Sequence, residues 1–190
     1  MPRLALGIMA TSKGLVVGDL KYTNTEGVIV DCNLAVGGDS IPQDVTGIDN
    51  IETSAKFVLV VEKDAVFQRL LEEAVLESSL SPLIMITGKG VPDLATRQLV
   101  YMLATQLCLP VLILTDCDPY GLDIFLMYKY SSLAMSWAAE PLAVTSSLWL
   151  GVLPSDLEPL GIPDASMKPH SKQAYVYILP KNYIFPNKQH

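Results

Sequence analysis

The sequence predicts an α/β fold, a mainly parallel sheet of about four strands flanked by helices, with a short β-rich N-terminal segment leading into it. Three observations predict it. Four apolar runs of strand length, at residues 57–61, 83–86, 111–114 and 147–152, are continuous rather than alternating, as in strands buried on both faces. The stretches between them carry helical spacing or helix-start signals. Strand and helix therefore alternate, and right-handed crossovers between successive strands make those strands parallel.

Residues 1–55 form the β-rich segment. Leu15-Val16-Val17 runs into Gly18-Asp19, and Val28-Ile29-Val30 runs into Asp31-Cys32, with the turn-like Asn24-Thr25-Glu26-Gly27 between them. Residues 37–50, rich in Gly, Asp and Pro, read as loop. Residues 56–163 form the α/β domain. Its first strand ends at Glu62, and a helix over residues 64–76 places Phe67, Leu70, Leu71 and Ala74 on one apolar face. The second strand ends in Thr87-Gly88-Lys89-Gly90. Pro92 then opens a long helix whose core face is Leu94, Leu99, Met102, Leu103 and Leu107. The third strand ends in Thr115-Asp116-Cys117-Asp118, and Pro119 starts a helix to about Tyr130. After the fourth apolar run, Pro154-Ser155-Asp156 resembles a further helix start. Residues 164–190 form a basic, disordered tail.

Composition narrows the function classes. The chain has 190 residues, 50% hydrophobic and 17% charged, with a net charge of −7, which excludes an intrinsically disordered chain and a histone-like protein that holds nucleic acid by bulk charge. The charge is uneven: all 20 acidic residues precede Lys168, while Lys168, Lys172, Lys181 and Lys188 follow without an acid. Cys32, Cys108 and Cys117 are odd in number, widely spaced and without a CxxC pair, which fits a reducing compartment rather than a disulfide scaffold or zinc site. No segment reads as a membrane span. The uncharged stretch 98–115 is broken by Pro110, and residues 4–10 are too short for a signal peptide.

Open α/β sheets bind ligands outside the carboxyl ends of their strands. Here those ends carry Glu62, Asp116 and Asp118. In an extended segment, residues two apart point to the same side, so Asp116 and Asp118 can face one pocket while Cys117 turns into the fold. Carboxylates held together repel unless a cation neutralises them, and Mg²⁺ suits an oxygen-ligand site of this kind. Asp118 also stands where it can cap the helix that begins at Pro119, so spacing leaves the metal and capping readings both open. Gly88-Lys89-Gly90 fits a turn better than a phosphate nest, since it has neither P-loop nor GxGxxG spacing.

Four linked motifs in one order carry a resemblance over about Lys13 to Pro163. They are Val61-Glu62-Lys63-Asp64 with Phe67-Gln68-Arg69-Leu70; Ile86-Thr87-Gly88-Lys89-Gly90-Val91-Pro92-Asp93; Asp116-Cys117-Asp118-Pro119-Tyr120-Gly121 with Tyr128-Lys129-Tyr130; and Trp149-Leu150-Gly151-Val152 with Pro154-Ser155-Asp156-Leu157. Together they resemble the Toprim region of the A subunit of type IIB DNA topoisomerases (topoisomerase VI) and of its eukaryotic relative that makes meiotic double-strand breaks; Cys117 and Ser131-Ser132 favour the meiotic branch.

The resemblance implies a Toprim-like fold with Glu62, Asp116 and Asp118 as ligands of Mg²⁺. It also implies double-stranded DNA as substrate, homodimerisation through the Toprim region, a topoisomerase VI B-like partner, and action in the nucleus. In the family a tyrosine hydroxyl attacks a phosphodiester, forming a 5′-phosphotyrosyl bond and releasing a 3′-hydroxyl. That tyrosine belongs to an upstream winged-helix domain, and none of the eight tyrosines here stands in its motif, so no catalytic residue is expected in this chain. Tyr120 is expected to pack beside the acids. Lys63, Lys89, Arg97 and Lys129, near the strand ends, are expected to contact DNA phosphates. Two other readings compete. One is a truncated, non-catalytic module that dimerises or competes with the full-length protein. The other is a DxD aspartyl phosphohydrolase, disfavoured because Tyr120 stands where those enzymes favour Thr or Ser and because two core strands precede the DxD.

Overall fold

The structure is a computed structural model that describes residues 12–131, 142–151, 159 and 161. The expected helix start at residues 154–156 and the tail 164–190 lie outside the described residues.

Among the described residues, nine strands form two sheets: β1 (Leu15–Gly18), β2 (Lys21–Thr23), β3 (Ile29–Asp31), β4 (Asp39–Ser40), β5 (Asp49–Glu52), β6 (Val58–Val61), β7 (Ile84–Thr87), β8 (Val111–Leu114) and β9 (Leu148–Trp149). Three α-helices accompany them in the described residues: α1 (Asp64–Glu72), α2 (Leu94–Gln106) and α3 (Pro119–Tyr130). The main sheet has the order β4-β1-β7-β6-β8-β9. Its β7, β6, β8 and β9 are mutually parallel and are the four expected strands. β1 adds antiparallel to β7, and β4 antiparallel to β1. Part of the N-terminal segment thus completes the main sheet, and β3-β2-β5 make a small antiparallel sheet beside it.

The uninterrupted apolar runs are explained by two covered faces. Val58, Val60, Ile84, Ile86, Val111 and Ile113 join a core with Leu99 and Leu103 of α2 and Ile124 and Tyr128 of α3. Leu59, Val61 and Met85 join the opposite core with Phe67 of α1. Each fully buried aliphatic or Phe side chain contributes about 1.5–3 kcal/mol relative to leaving it in water. The first core also takes in Tyr22, Cys32, Ile41, Val45 and Ile48, so the N-terminal segment and the α/β domain share it.

Local chemistry corrects four expectations. The first helix stops at Glu72 because Ala74 adopts a left-handed conformation, and a separate 3₁₀ turn follows over Val75–Glu77. The second begins at Leu94, two residues beyond Pro92, because Asp93 is its cap: the carboxylate accepts from the Thr96 N–H at 2.8 Å. Leu94 is exposed rather than part of the core face. The stretch read as loop over residues 37–50 contains β4 and the start of β5.

Candidate metal centre

The chain runs from β6 through α1 to β7 on one side, then back through α2 to β8 on the other. The loops leaving β6 and β8 therefore diverge, and the crevice between them is the topological switch point where open sheets take their ligands. Glu62 follows β6 and Asp116 lies just beyond β8. The Asp116 N–H donates to Glu62 Oε2 at 3.0 Å across 54 residues of sequence. The Glu62 backbone is fixed as well: its N–H donates to Leu114 O at 3.0 Å, and its carbonyl accepts from the Gly90 N–H at 2.8 Å.

The three acids have different local tasks. Asp116 pairs with the Lys63 ammonium. Asp118 caps α3, accepting from the Gly121 N–H at 2.7 Å, so the capping reading of the sequence holds. The Glu62 carboxyl is held above its usual range, foremost by burial; the Asp116 N–H opposes this, and the charges of Asp116 and Asp118 reinforce it. Lys63 is held above its usual range by the hydrogen bond and charge of Asp116, with smaller contributions from Glu62 and Asp118. Glu62 thus feels the charge of both Asp116 and Asp118, with Lys63 as the neighbouring cation.

Oxygen donors of this kind match a hard dication such as Mg²⁺ in chemistry. Their placement is another matter: among the described residues, no group of three or more His, Cys, Asp or Glu side chains is arranged to hold a metal ion. Asp116 and Asp118 do not act as equivalent arms, because each carboxylate is committed to a protein partner. Gly121 permits this arrangement, since a Cβ there would lie 2.3 Å from the Asp116 carbonyl oxygen.

The basic candidates separate. Lys63 and Lys89 are exposed at the carboxyl edge. Arg97 is only 3% exposed and donates to Ser131 Oγ at 2.8 Å, so it ties α2 to the end of α3 and presents no guanidinium to a surface phosphate. Lys129 is half-buried, bonded to Ser147 O at 2.8 Å, with its ammonium 5.5 Å from the centre of the Phe125 ring. Gly88-Lys89-Gly90 is a turn: the Lys89 N–H donates to Thr87 Oγ1 at 3.1 Å and the Gly90 N–H to Glu62 O, so these donors already have internal partners. Tyr120, on the first turn of α3, is 79% exposed rather than packed beside the acids.

Three contacts, two from Lys13 and one from Trp149, had no short-range signal. The antiparallel β1 carries Lys13 to the end of β7, where its N–H donates to Asp93 Oδ2 at 2.7 Å and its Nζ to Lys89 O at 3.4 Å. Trp149 donates its indole N–H to Thr115 Oγ1 at 2.8 Å. Among the described residues, no helix is long and apolar enough to cross a membrane.

Comparison with known proteins agrees with this architecture. The Toprim domain family of the topoisomerase 6 A subunit and Spo11 matches residues 57–190. The match runs on beyond the four motifs, through the C-terminal segment. The meiotic recombination protein SPO11 of Mus musculus is 44% identical over 187 residues, covering 97% of this chain and 47% of that protein. SPO11 of Homo sapiens is 48% identical over 171 residues, 90% of this chain and 43% of its own length. The DNA topoisomerase 6 A subunit of Arabidopsis thaliana is 38% identical over 172 residues, 90% of this chain and 40% of that protein. The chain spans less than half the length of these relatives. With strand-end acids at the switch point and a family match over the whole α/β portion, the chain belongs to the family of Spo11 and the topoisomerase 6 A subunit and carries its Toprim domain.

Proposed function

We propose that this chain is the metal-binding part of a DNA-cleaving transesterase that forms double-strand breaks, with Glu62, Asp116 and Asp118 as the residues that hold Mg²⁺. The observation that carries the reading is the junction of Glu62 and Asp116 at the switch point, where the Asp116 backbone N–H donates to the Glu62 carboxylate at 3.0 Å across two adjacent parallel strand ends. Bound there, Mg²⁺ supplies positive charge beside a DNA phosphate and offsets the charge that develops on it. Glu62 and Asp116 contribute oxygen donors from fixed backbone positions. Asp118 contributes while its peptide remains at the start of α3. Lys63, displaced from Asp116, and Lys89 face the DNA backbone. The attacking tyrosine comes from outside these 190 residues: its hydroxyl oxygen bonds to phosphorus, and the bond to the 3′-oxygen breaks to release a 3′-hydroxyl. The relatives' names, meiotic recombination proteins, support a meiotic role, and the proposal places it in the nucleus. A homodimer through the Toprim region and a topoisomerase VI B-like partner complete the proposal.

Calorimetric titration of the chain with Mg²⁺ tests the site. Weak binding by the wild type, lost or strongly reduced in Asp116→Asn, is the expected result; undiminished binding by the variant removes Asp116 from the site. Incubation with supercoiled DNA and Mg²⁺ tests the origin of the nucleophile. No covalent protein–DNA adduct is expected, and an adduct formed by the chain alone would place the nucleophile within it.

A further inference from the structure

We infer that Trp149 is a positioning residue for the metal-binding segment, acting through Thr115 on Asp116; this rests on the reading of Glu62, Asp116 and Asp118 as metal ligands. Trp149-Leu150-Gly151 belongs to the last motif of the sequence, and the proposed chemistry leaves it without a task. In the fold it enters with β9, whose Trp149 stands in register with Ile113 of β8. The Leu150 N–H extends the pairing by donating to Ile113 O at 2.8 Å.

That register sets the indole beside the carboxyl end of β8. An indole N–H can only donate, and a half-buried one needs an acceptor. Here the acceptor is Thr115 Oγ1 at 2.8 Å, on a residue 5% exposed and adjacent in sequence to Asp116. Gly151 allows the chain to close on the same residue, since a Cβ there would lie 2.2 Å from the Thr115 carbonyl oxygen and 2.8 Å from the indole nitrogen. The indole stacks on Phe125 of α3 with ring centres 5.9 Å apart and planes 20° apart. Lys129 sits over Phe125 and bonds Ser147 O, immediately before β9. Trp149, Phe125 and Lys129 thus tie α3 and β9 to the peptide that carries Asp116. On the other side, Gly121 packs against the Asp116 backbone.

A ligand carboxylate on a pre-ordered peptide binds a cation without first losing conformational freedom, and partners behind metal ligands typically change affinity about 10–100-fold when removed. Trp149→Phe keeps the ring and removes the N–H. Thr115→Val keeps the shape and removes the acceptor, and Thr115→Ser keeps the acceptor. Mg²⁺ titration of the whole chain, by calorimetry and indole fluorescence, reads the effect. A Trp137→Phe background leaves Trp149 as the sole indole.

Trp149→Phe and Thr115→Val are each expected to weaken Mg²⁺ binding about tenfold. Their combination should be no weaker than either alone, because both remove one bond. Thr115→Ser should bind like wild type, and Trp149 fluorescence should change with the calorimetric midpoint. Wild-type affinity in the folded Trp149→Phe and Thr115→Val variants overturns the inference, even if their thermal stability falls. Additive losses also overturn it. If Trp149→Phe does not fold, the Thr115→Val and Thr115→Ser pair decides. Absence of Mg²⁺ binding by the wild type overturns the metal-site reading itself, and this inference with it.

Discussion

Glu62 is pushed above the ordinary carboxylate range chiefly by burial, with Asp116 and Asp118 adding like charge. A carboxyl whose folded-state pKa exceeds its unfolded value takes up a proton more readily in the folded chain. Its contribution to stability is therefore fully present below the unfolded pKa and is lost as pH rises through the folded one. Glu62→Gln, which keeps an oxygen to accept the Asp116 N–H, should be more stable than wild type at neutral pH without Mg²⁺. The two should converge when acidified below the ordinary carboxylate range. Thermal denaturation over a pH series checks this, and a variant less stable than wild type at neutral pH contradicts it. Lys63 poses a different competition, because its ammonium pairs with Asp116. Lys63→Met should tighten Mg²⁺ binding about two- to five-fold, the scale of an exposed ion pair. Lys89→Met, which removes the same charge without breaking that pair, should change it less; equal effects by calorimetry would reduce Lys63 to general field strength.

α1 and α3 hold the two sides of the crevice in different ways. Phe67, 0% exposed, plugs α1 into the core beneath β6 and β7. Phe67→Ala should cost about 3–5 kcal/mol in urea denaturation. For α3 the constraint is backbone proximity: Gly121→Ala should cost about 1–3 kcal/mol and weaken Mg²⁺ binding, because the new methyl group meets the Asp116 carbonyl. The long apolar strands and these helices were legible in sequence because burial on both faces leaves an unbroken hydrophobic run. Asp39-Ser40 and Asp49-Asn50-Ile51-Glu52 were not, since short strands with polar side chains are specified by their neighbours rather than by their own pattern. Glu62, Asp116 and Asp118 were legible because strand ends are visible in sequence. The cap that Asp118 gives α3 was legible too, being a contact three residues long. The Lys63 partner of Asp116, the burial of Arg97 and the exposure of Tyr120 depend on how helices settle against the sheet, which local spacing does not encode.

The whole chain is acidic, with a net charge of −7, yet its candidate phosphate contacts stand at one edge of the main sheet. Attraction to DNA should therefore depend on the dication more than on total charge. Fluorescence anisotropy with duplex DNA at constant ionic strength should show tighter binding with Mg²⁺ than with EDTA. Asp116→Asn should abolish that difference, and equal affinity in both conditions for wild type would contradict it. With Lys63 and Lys89 as the protein contacts, the slope of log affinity against log salt should be about −2, far shallower than for a basic DNA-binding surface.

The outer strands of the main sheet, β4 and β9, are two residues each among the described residues. Edges this short offer few free peptide groups for another strand to pair with. Among the described residues, these two edges therefore offer a second copy little to extend into one continuous sheet. A homodimer of the kind proposed would then draw its contact area from side-chain packing between helices or loops.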